Sequence, residues 1–134
     1  MSKAETIIDE SLSWAKENGY RIIATSCAYD YVNGKLIGVS AIGSVMLRKG
    51  FAKPEIKTAE SIKDISNSFP YSGWLKDCCE ILGEDTYWIW KFMKGFDQGI
   101  NLKIYKSDCW GTEKEETDTV SVFGVKMRKK YKGT

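Results

Sequence analysis

Histidine is absent from this chain of 134 residues. Without an imidazole the usual general base is missing, and so are the usual activator of a serine or cysteine nucleophile and the commonest zinc ligand. Hydrolases built on Ser-His or Cys-His pairs are thereby excluded. Cysteine is scarce: Cys27, Cys78, Cys79 and Cys109 contain no C-x-x-C pair from which a zinc site could start. Cys78 and Cys79 are neighbours on a predicted helix and point in different directions, and all four are expected as reduced thiols. No metal site and no cofactor are expected. No apolar run approaches the roughly 20 residues that a membrane helix needs. Met1-Ser2-Lys3-Ala4-Glu5 is not followed by an apolar h-region. A cytoplasmic protein without membrane contact is therefore expected. An excess of one charge is lacking too: 20 basic against 18 acidic residues leave +2, too little to demand a polyanionic partner.

Glycine motifs for phosphates are missing, with neither a P-loop nor a dinucleotide pattern. Gly38-Val39-Ser40-Ala41-Ile42-Gly43 superficially resembles a nucleophile elbow, but its spacing is one residue too long and no base is available. A helix-capping role suits Ser40 better. Asp97 to Asp108 has the length of a calcium loop and fails its pattern: Gly99 is at the third position, Leu102 where glycine is required, and aspartate closes it.

What remains is an ordinary globular composition, 43% hydrophobic and 28% charged, with an unusual 13% of aromatic residues, five of them tryptophan. The length suits one domain over residues 1–134, large enough for a hydrophobic core without staples.

The chain opens on a capping box, Ser2 with Glu5, followed by Ile7, Ile8, Leu12, Trp14 and Ala15 at helical spacing. Asn18-Gly19 ends that helix. Tyr20 to Ala24 reads as extended, and Asn33-Gly34 between apolar flanks predicts a hairpin with a type I′ turn. Ser40 caps a second helix that stops at Gly50, and Pro54 begins a third carrying Ile56, Ala59, Ile62 and Ile65, broken at Asn67 to Tyr71. Trp74 to Leu82 and Thr86 to Lys94 follow, ended by Gly83 and Gly95, with Asp85 as N-cap of the second. A short strand over Leu102 to Tyr105 is expected, then a solvated loop at Glu113-Lys114-Glu115-Glu116. Asp118 caps a last helix in which Val120, Phe123, Met127 and Tyr131 form the buried stripe. The predicted fold is mainly α with a small β-hairpin: a single core of about six short helices.

Two features carry functional weight. Tyr87-Trp88-Ile89-Trp90-Lys91-Phe92-Met93 is apolar almost all round. It is either a buried central helix or one from which Tyr87, Trp88 or Trp90 reaches the surface to anchor a partner, since Trp and Tyr dominate interface hot spots. The same aromatic surplus is compatible with a homo-oligomer. Lys126, Arg128, Lys129, Lys130 and Lys132 form a basic C-terminal helix end. That end either answers the helix dipole or contacts nucleic-acid phosphates, with Tyr105, Trp110 or Tyr131 for stacking and Lys103 and Lys106 extending the patch. The acidic run at Glu113 to Glu116 pairs as readily with these lysines inside one molecule. A third reading places Asp30, Asp97 and Asp108 in turns or loops as carboxylates of a histidine-free enzyme.

Gly19-Tyr20 after an amphipathic helix, then Asp30, Asn33-Gly34 and Ala41-Ile42-Gly43, resembles a family of small uncharacterised bacterial and phage proteins. Its members carry Gly-Trp after the first helix and a Cys-Ala-Leu-Gly-Ala type run at the next helix start. Tyr20 stands here for the tryptophan and Ser40 for the cysteine. The likeness is confined to the first third of the chain. It implies a small α-rich cytosolic domain, phage-encoded, with no known activity. Taken together, the sequence favours a non-enzymatic protein-binding domain, an accessory or host-modulating protein of a phage or mobile element. A nucleic-acid-binding accessory protein is the alternative, and a carboxylate enzyme the third option.

Overall fold

Four side chains set the starts of four helices by the same local chemistry. Each accepts a hydrogen bond from a backbone N–H that the first helical turn leaves without a partner. Ser2 opens α1 (Lys3–Glu17) with both halves of the capping box made. Ser40 accepts from Gly43 N at 3.0 Å and opens α2 (Ala41–Arg48). Asp85 accepts from Trp88 N at 2.8 Å and opens α4 (Thr86–Gln98). Asp118 accepts from Ser121 N at 2.8 Å and opens α5 (Thr119–Lys132). The remaining helix, α3 (Trp74–Leu82), begins without a side-chain cap and ends on Gly83 in the left-handed conformation. The computed structural model describes residues 1–25, 28–56 and 73–133.

Between α1 and α2 lie β1 (Arg21–Ile22), β2 (Tyr29–Val32) and β3 (Lys35–Val39). They form a sheet in the order β1-β3-β2. Strands β2 and β3 make the antiparallel hairpin around Asn33 and Gly34, both at positive φ as a type I′ turn requires. Strand β1 adds to the far edge of β3 in parallel, pairing Arg21 with Gly38 and Ile22 with Val39. A second, antiparallel pair, β4 (Lys103–Ser107) with β5 (Glu113–Thr117), connects α4 to α5.

The core is continuous. Ile8, Leu12 and Ala15 of α1 meet Val45 and Met46 of α2, Cys78 and Leu82 of α3, Ile89, Phe92 and Phe96 of α4, and Phe123 and Met127 of α5. The closest crossing is α4 against α5, where Gly95 lies against the Ser121 carbonyl and Gly124 against the Phe92 carbonyl. A Cβ on either glycine would collide with the facing backbone. The C-terminal helix is tied back to the first one as well. The Tyr131 hydroxyl and the Lys130 ammonium, at 3.0 Å, both reach the Asp9 carboxylate. Burial alone would raise the Asp9 pKa, but these two donors outweigh it and hold the carboxyl below its ordinary value.

The molecule is mixed α and β with helix dominant, richer in strand than the sequence reading expected. Five helices and five strands stand among the described residues. Four expectations need correction. Pro54 does not start a helix: Pro54 O accepts from Leu36 N, Ile56 N donates to Gly34 O, and Glu55 bridges Lys35, so this stretch is extended beside the hairpin. The rest of that expected helix, with Ala59, Ile62, Ile65 and the break at Asn67 to Tyr71, lies outside the described residues, as does Cys27. Gly95 does not end α4. The helix runs one more turn to Gln98 and stops at Gly99, because Gly95 is the point of closest approach to α5. Glu113 to Glu116 is no loop but strand β5, every residue exposed, paired with β4 through a turn shaped by Asp108. Finally, Asp97 and Asp30 are not loop residues: Asp97 is in the last turn of α4 and Asp30 is in β2.

Candidate functional site

Helix α4 sorts its aromatic side chains by position on the helical wheel. Trp88, Phe92 and Phe96 follow at steps of four and point into the molecule. The Trp88 and Phe92 rings stack at 5.8 Å with 9° between their planes, and Phe92 continues onto Phe96 at 5.8 Å and Phe123 at 5.7 Å. Tyr87 and Trp90, three residues apart, share another edge and stand outward, 57% and 47% exposed. Their rings stack at 5.9 Å with 11° between planes. The Lys91 ammonium sits 4.6 Å over the Tyr87 ring and the Lys94 ammonium 5.5 Å over the Trp90 ring. Both are within reach of a cation–π attraction. Lys91 is also fixed from below by Asp118, 3.3 Å away and nearly buried. An aromatic ledge is thus held rigidly on a helix edge, with its polar neighbours in place.

Beside the ledge opens a cleft of about 420 Å³, lined among the described residues by Thr25, Trp90, Met93, Lys94, Asp97 and Gln98. Asp97 is its unusual member. Among the described residues its carboxylate accepts no hydrogen bond and forms no ion pair. The charge that acts on it, the Arg128 guanidinium of α5, is engaged at 2.8 and 2.9 Å with the Phe96 and Asp97 backbone carbonyls, where it closes the C-terminus of α4. Burial pushes the Asp97 carboxyl up to about 7, and the charge of Arg128 only partly offsets this.

The other sequence-selected residues are dispersed. Asp30 pairs with Arg21 at 3.0 Å on the sheet, and Asp108 accepts from Trp110 N and Thr112 N at 2.9 Å in the β4–β5 turn. Neither lines the Asp97 cleft, so Asp97 has no second carboxylate there among the described residues. No group of three metal-ligating side chains exists among the described residues. Of the basic cluster, Arg128 serves as a helix closure and Lys130 as the partner of Asp9. Lys126, Lys129 and Lys132 are exposed. Lys106 is answered by Glu116 at 3.1 Å, the one ion pair in which the acidic run takes part among the described residues. Tyr105 and Trp110 are exposed on the second hairpin, Trp110 at its turn. Burial pushes the Cys78 thiol up to about 12, which leaves it unreactive.

The chain matches no family model. Comparison with curated proteins and with solved structures finds no match either. No helix among the described residues is long and apolar enough to cross a membrane.

Sequence reasoning named Tyr87, Trp88 and Trp90 without separating them. It missed Lys91, Lys94, Met93 and Gln98, and it took Asp97 for a loop residue. The helical spacings were the available signal. Tyr87 to Lys91 and Trp90 to Lys94 are steps of four, and Tyr87 to Trp90 and Lys94 to Asp97 are steps of three, so all of these residues fall on neighbouring lines of one helix surface.

Proposed function

We propose that this chain is a non-enzymatic protein-binding domain whose contact surface is the Tyr87–Trp90 edge of α4 together with the adjoining cleft. One observation carries the reading. Two large aromatic rings are stacked on each other, half exposed, on a helix whose other aromatic residues are all drawn inward. Rigid, amphipathic rings of this kind supply binding area at small entropic cost, and they recur as interface anchors. The absence of histidine from the sequence favours binding over catalysis. The resemblance of the first third of the chain implies a phage-encoded cytosolic domain without a known activity, and the role we propose for it is that of an accessory or host-modulating protein.

Binding of nucleic acid through the C-terminal helix is the weaker reading, because two of its five basic side chains are engaged within the molecule. The experiment is affinity capture of the tagged chain from a bacterial lysate, with and without nuclease, beside the Tyr87→Ala and Trp90→Ala variants. A dominant protein that survives nuclease and is lost from both folded variants supports the reading. Recovery that nuclease removes, or that is indifferent to both substitutions, overturns it.

A further inference from the structure

We infer that the cleft beside Trp90 receives an arginine side chain of the partner protein, its guanidinium laid on the indole and hydrogen-bonded to the Asp97 carboxylate. This rests on the protein-binding reading of the same surface and adds to it the chemistry of the contact.

Charge complementarity points to a cation. A carboxylate in a half-desolvated cleft ordinarily finds a donor, since desolvation without compensation is costly. Asp97 has none among the described residues. Arg128 on α5 gives its two hydrogen bonds to backbone carbonyls instead. Lys94, one turn back on α4, is drawn over the Trp90 ring at 5.5 Å and makes no ion pair with Asp97. Among the described residues these are the two cations beside Asp97, and neither satisfies it.

The wall of the cleft favours a cation as well. Trp90 already holds an ammonium over its ring, which shows that the indole face is placed to attract a cation. Met93 supplies the apolar side for the methylene stem of a long basic side chain, and Gln98 and Thr25 complete the described lining. A planar guanidinium fits this set better than an ammonium. It stacks flat on an indole and offers two parallel N–H groups to one carboxylate, whereas Lys94 can move aside as a flexible, partly exposed chain.

Arrival of the cation also settles the proton. Near neutral pH the unliganded Asp97 carboxyl is partly protonated, with its midpoint pushed up to about 7. A guanidinium favours the charged form, so binding releases a proton and strengthens as pH rises through that midpoint.

The probe is N-acetyl-arginine-N-methylamide, with the citrulline analogue as its uncharged isostere, titrated into the full chain and followed by NMR at the Trp90 indole N–H and the Asp97 side-chain carbon. The arginine probe is expected to shift both signals and to lower the Asp97 midpoint by about one to three pH units. It should bind about tenfold more tightly at pH 8 than at pH 5.5. The citrulline probe should do none of this, and Asp97→Asn should bind both probes equally while keeping its circular dichroism. Equal binding of the two probes to the unaltered chain, or an unmoved Asp97 midpoint, overturns the inference. So does a Lys94→Gln variant whose Asp97 midpoint rises sharply without any probe, since Lys94 would then be the carboxylate's partner in solution. The two readings fail separately. A protein partner that needs Trp90 but binds Asp97→Asn undiminished overturns the arginine contact alone. Arginine selectivity in a chain that captures no protein overturns the protein-binding reading, and with it the partner protein as the source of the arginine, while the guanidinium contact itself stands.

Discussion

Two sides of α4 carry nearly the same kind of side chain and do opposite things. On the inner side, Phe92 and Phe96 are fully buried, Phe92 stacking on Trp88 and Phe96 and meeting Phe123 at a tilt, while Gly95 lets the α5 backbone come into contact. On the outer edge, Tyr87 and Trp90 stack just as closely but face solvent, with lysines over them. The inner rings gain their energy from area removed from water on folding, and the outer rings still have that area to lose. One helix thus separates holding the fold together from offering a surface. The separation is testable because its two halves respond to different measurements.

The largest effect is expected on the inner side. Phe92→Ala removes a ring that touches Trp88, Phe96 and Phe123 and leaves a cavity between α4 and α5. A loss of about 3 to 5 kcal/mol in chemical denaturation is expected. A loss under about 1 kcal/mol would mean that the inner stack is not the core. Gly124→Ala comes next, at about 3 kcal/mol, because its methyl group would meet the Phe92 carbonyl, which a helix backbone cannot move aside cheaply. A Gly124→Ala variant as stable as the parent would show that the two helices are not in backbone contact.

The glycines also show what in this fold was legible from sequence and what was not. Ser2, Ser40, Asp85 and Asp118 were recognisable as caps because capping is chemistry between residues two or three apart. Asn33-Gly34 was recognisable for the same reason. Gly95 was misread as a stop signal. A glycine that ends a helix and one that admits a neighbouring helix look alike locally, and only Gly124, 29 positions away, tells them apart. That error moved Asp97 out of the helix and so hid its place on the edge with Trp90 and Lys94. Glu113 to Glu116 misled in another way. Glutamate and lysine are poor strand formers, and here the register comes from the turn at Asp108 and from pairing with β4. The aromatic run itself was plain, but its division into inner and outer rings depends on where α5 packs.

Between the two sides stands Asp97, and pH sharpens the comparison there. Its carboxyl is raised from 3.8 to about 7 in the folded chain. Between these values the folded state holds a proton that the unfolded state has released, so this group's contribution to stability is present below about pH 4 and is lost as pH rises through about 7. Asp97→Asn removes the dependence. It is expected to gain about 1 to 2 kcal/mol over the parent at pH 8, allowing for solvent screening at a partly exposed site, with the advantage shrinking towards pH 4. Parallel stability-against-pH curves for the two proteins would sink the assignment of Asp97 as an unpartnered carboxyl.

The smallest stability change belongs to the outer edge, and its smallness is the point. Tyr87→Ala and Trp90→Ala each remove a half-exposed ring whose main protein contacts are the other ring and a lysine stem. Each is expected to cost less than about 1 kcal/mol, several-fold less than Phe92→Ala on the same helix. Losing one ring should also make the second substitution cheaper, because the stack is shared. The double variant should therefore fall short of the sum of the singles by a few tenths of a kcal/mol. If either single variant instead unfolds like Phe92→Ala, the outer rings are structural and the contrast between the two sides of α4 disappears. If both remain folded, any partner they lose is lost from the surface rather than from the fold.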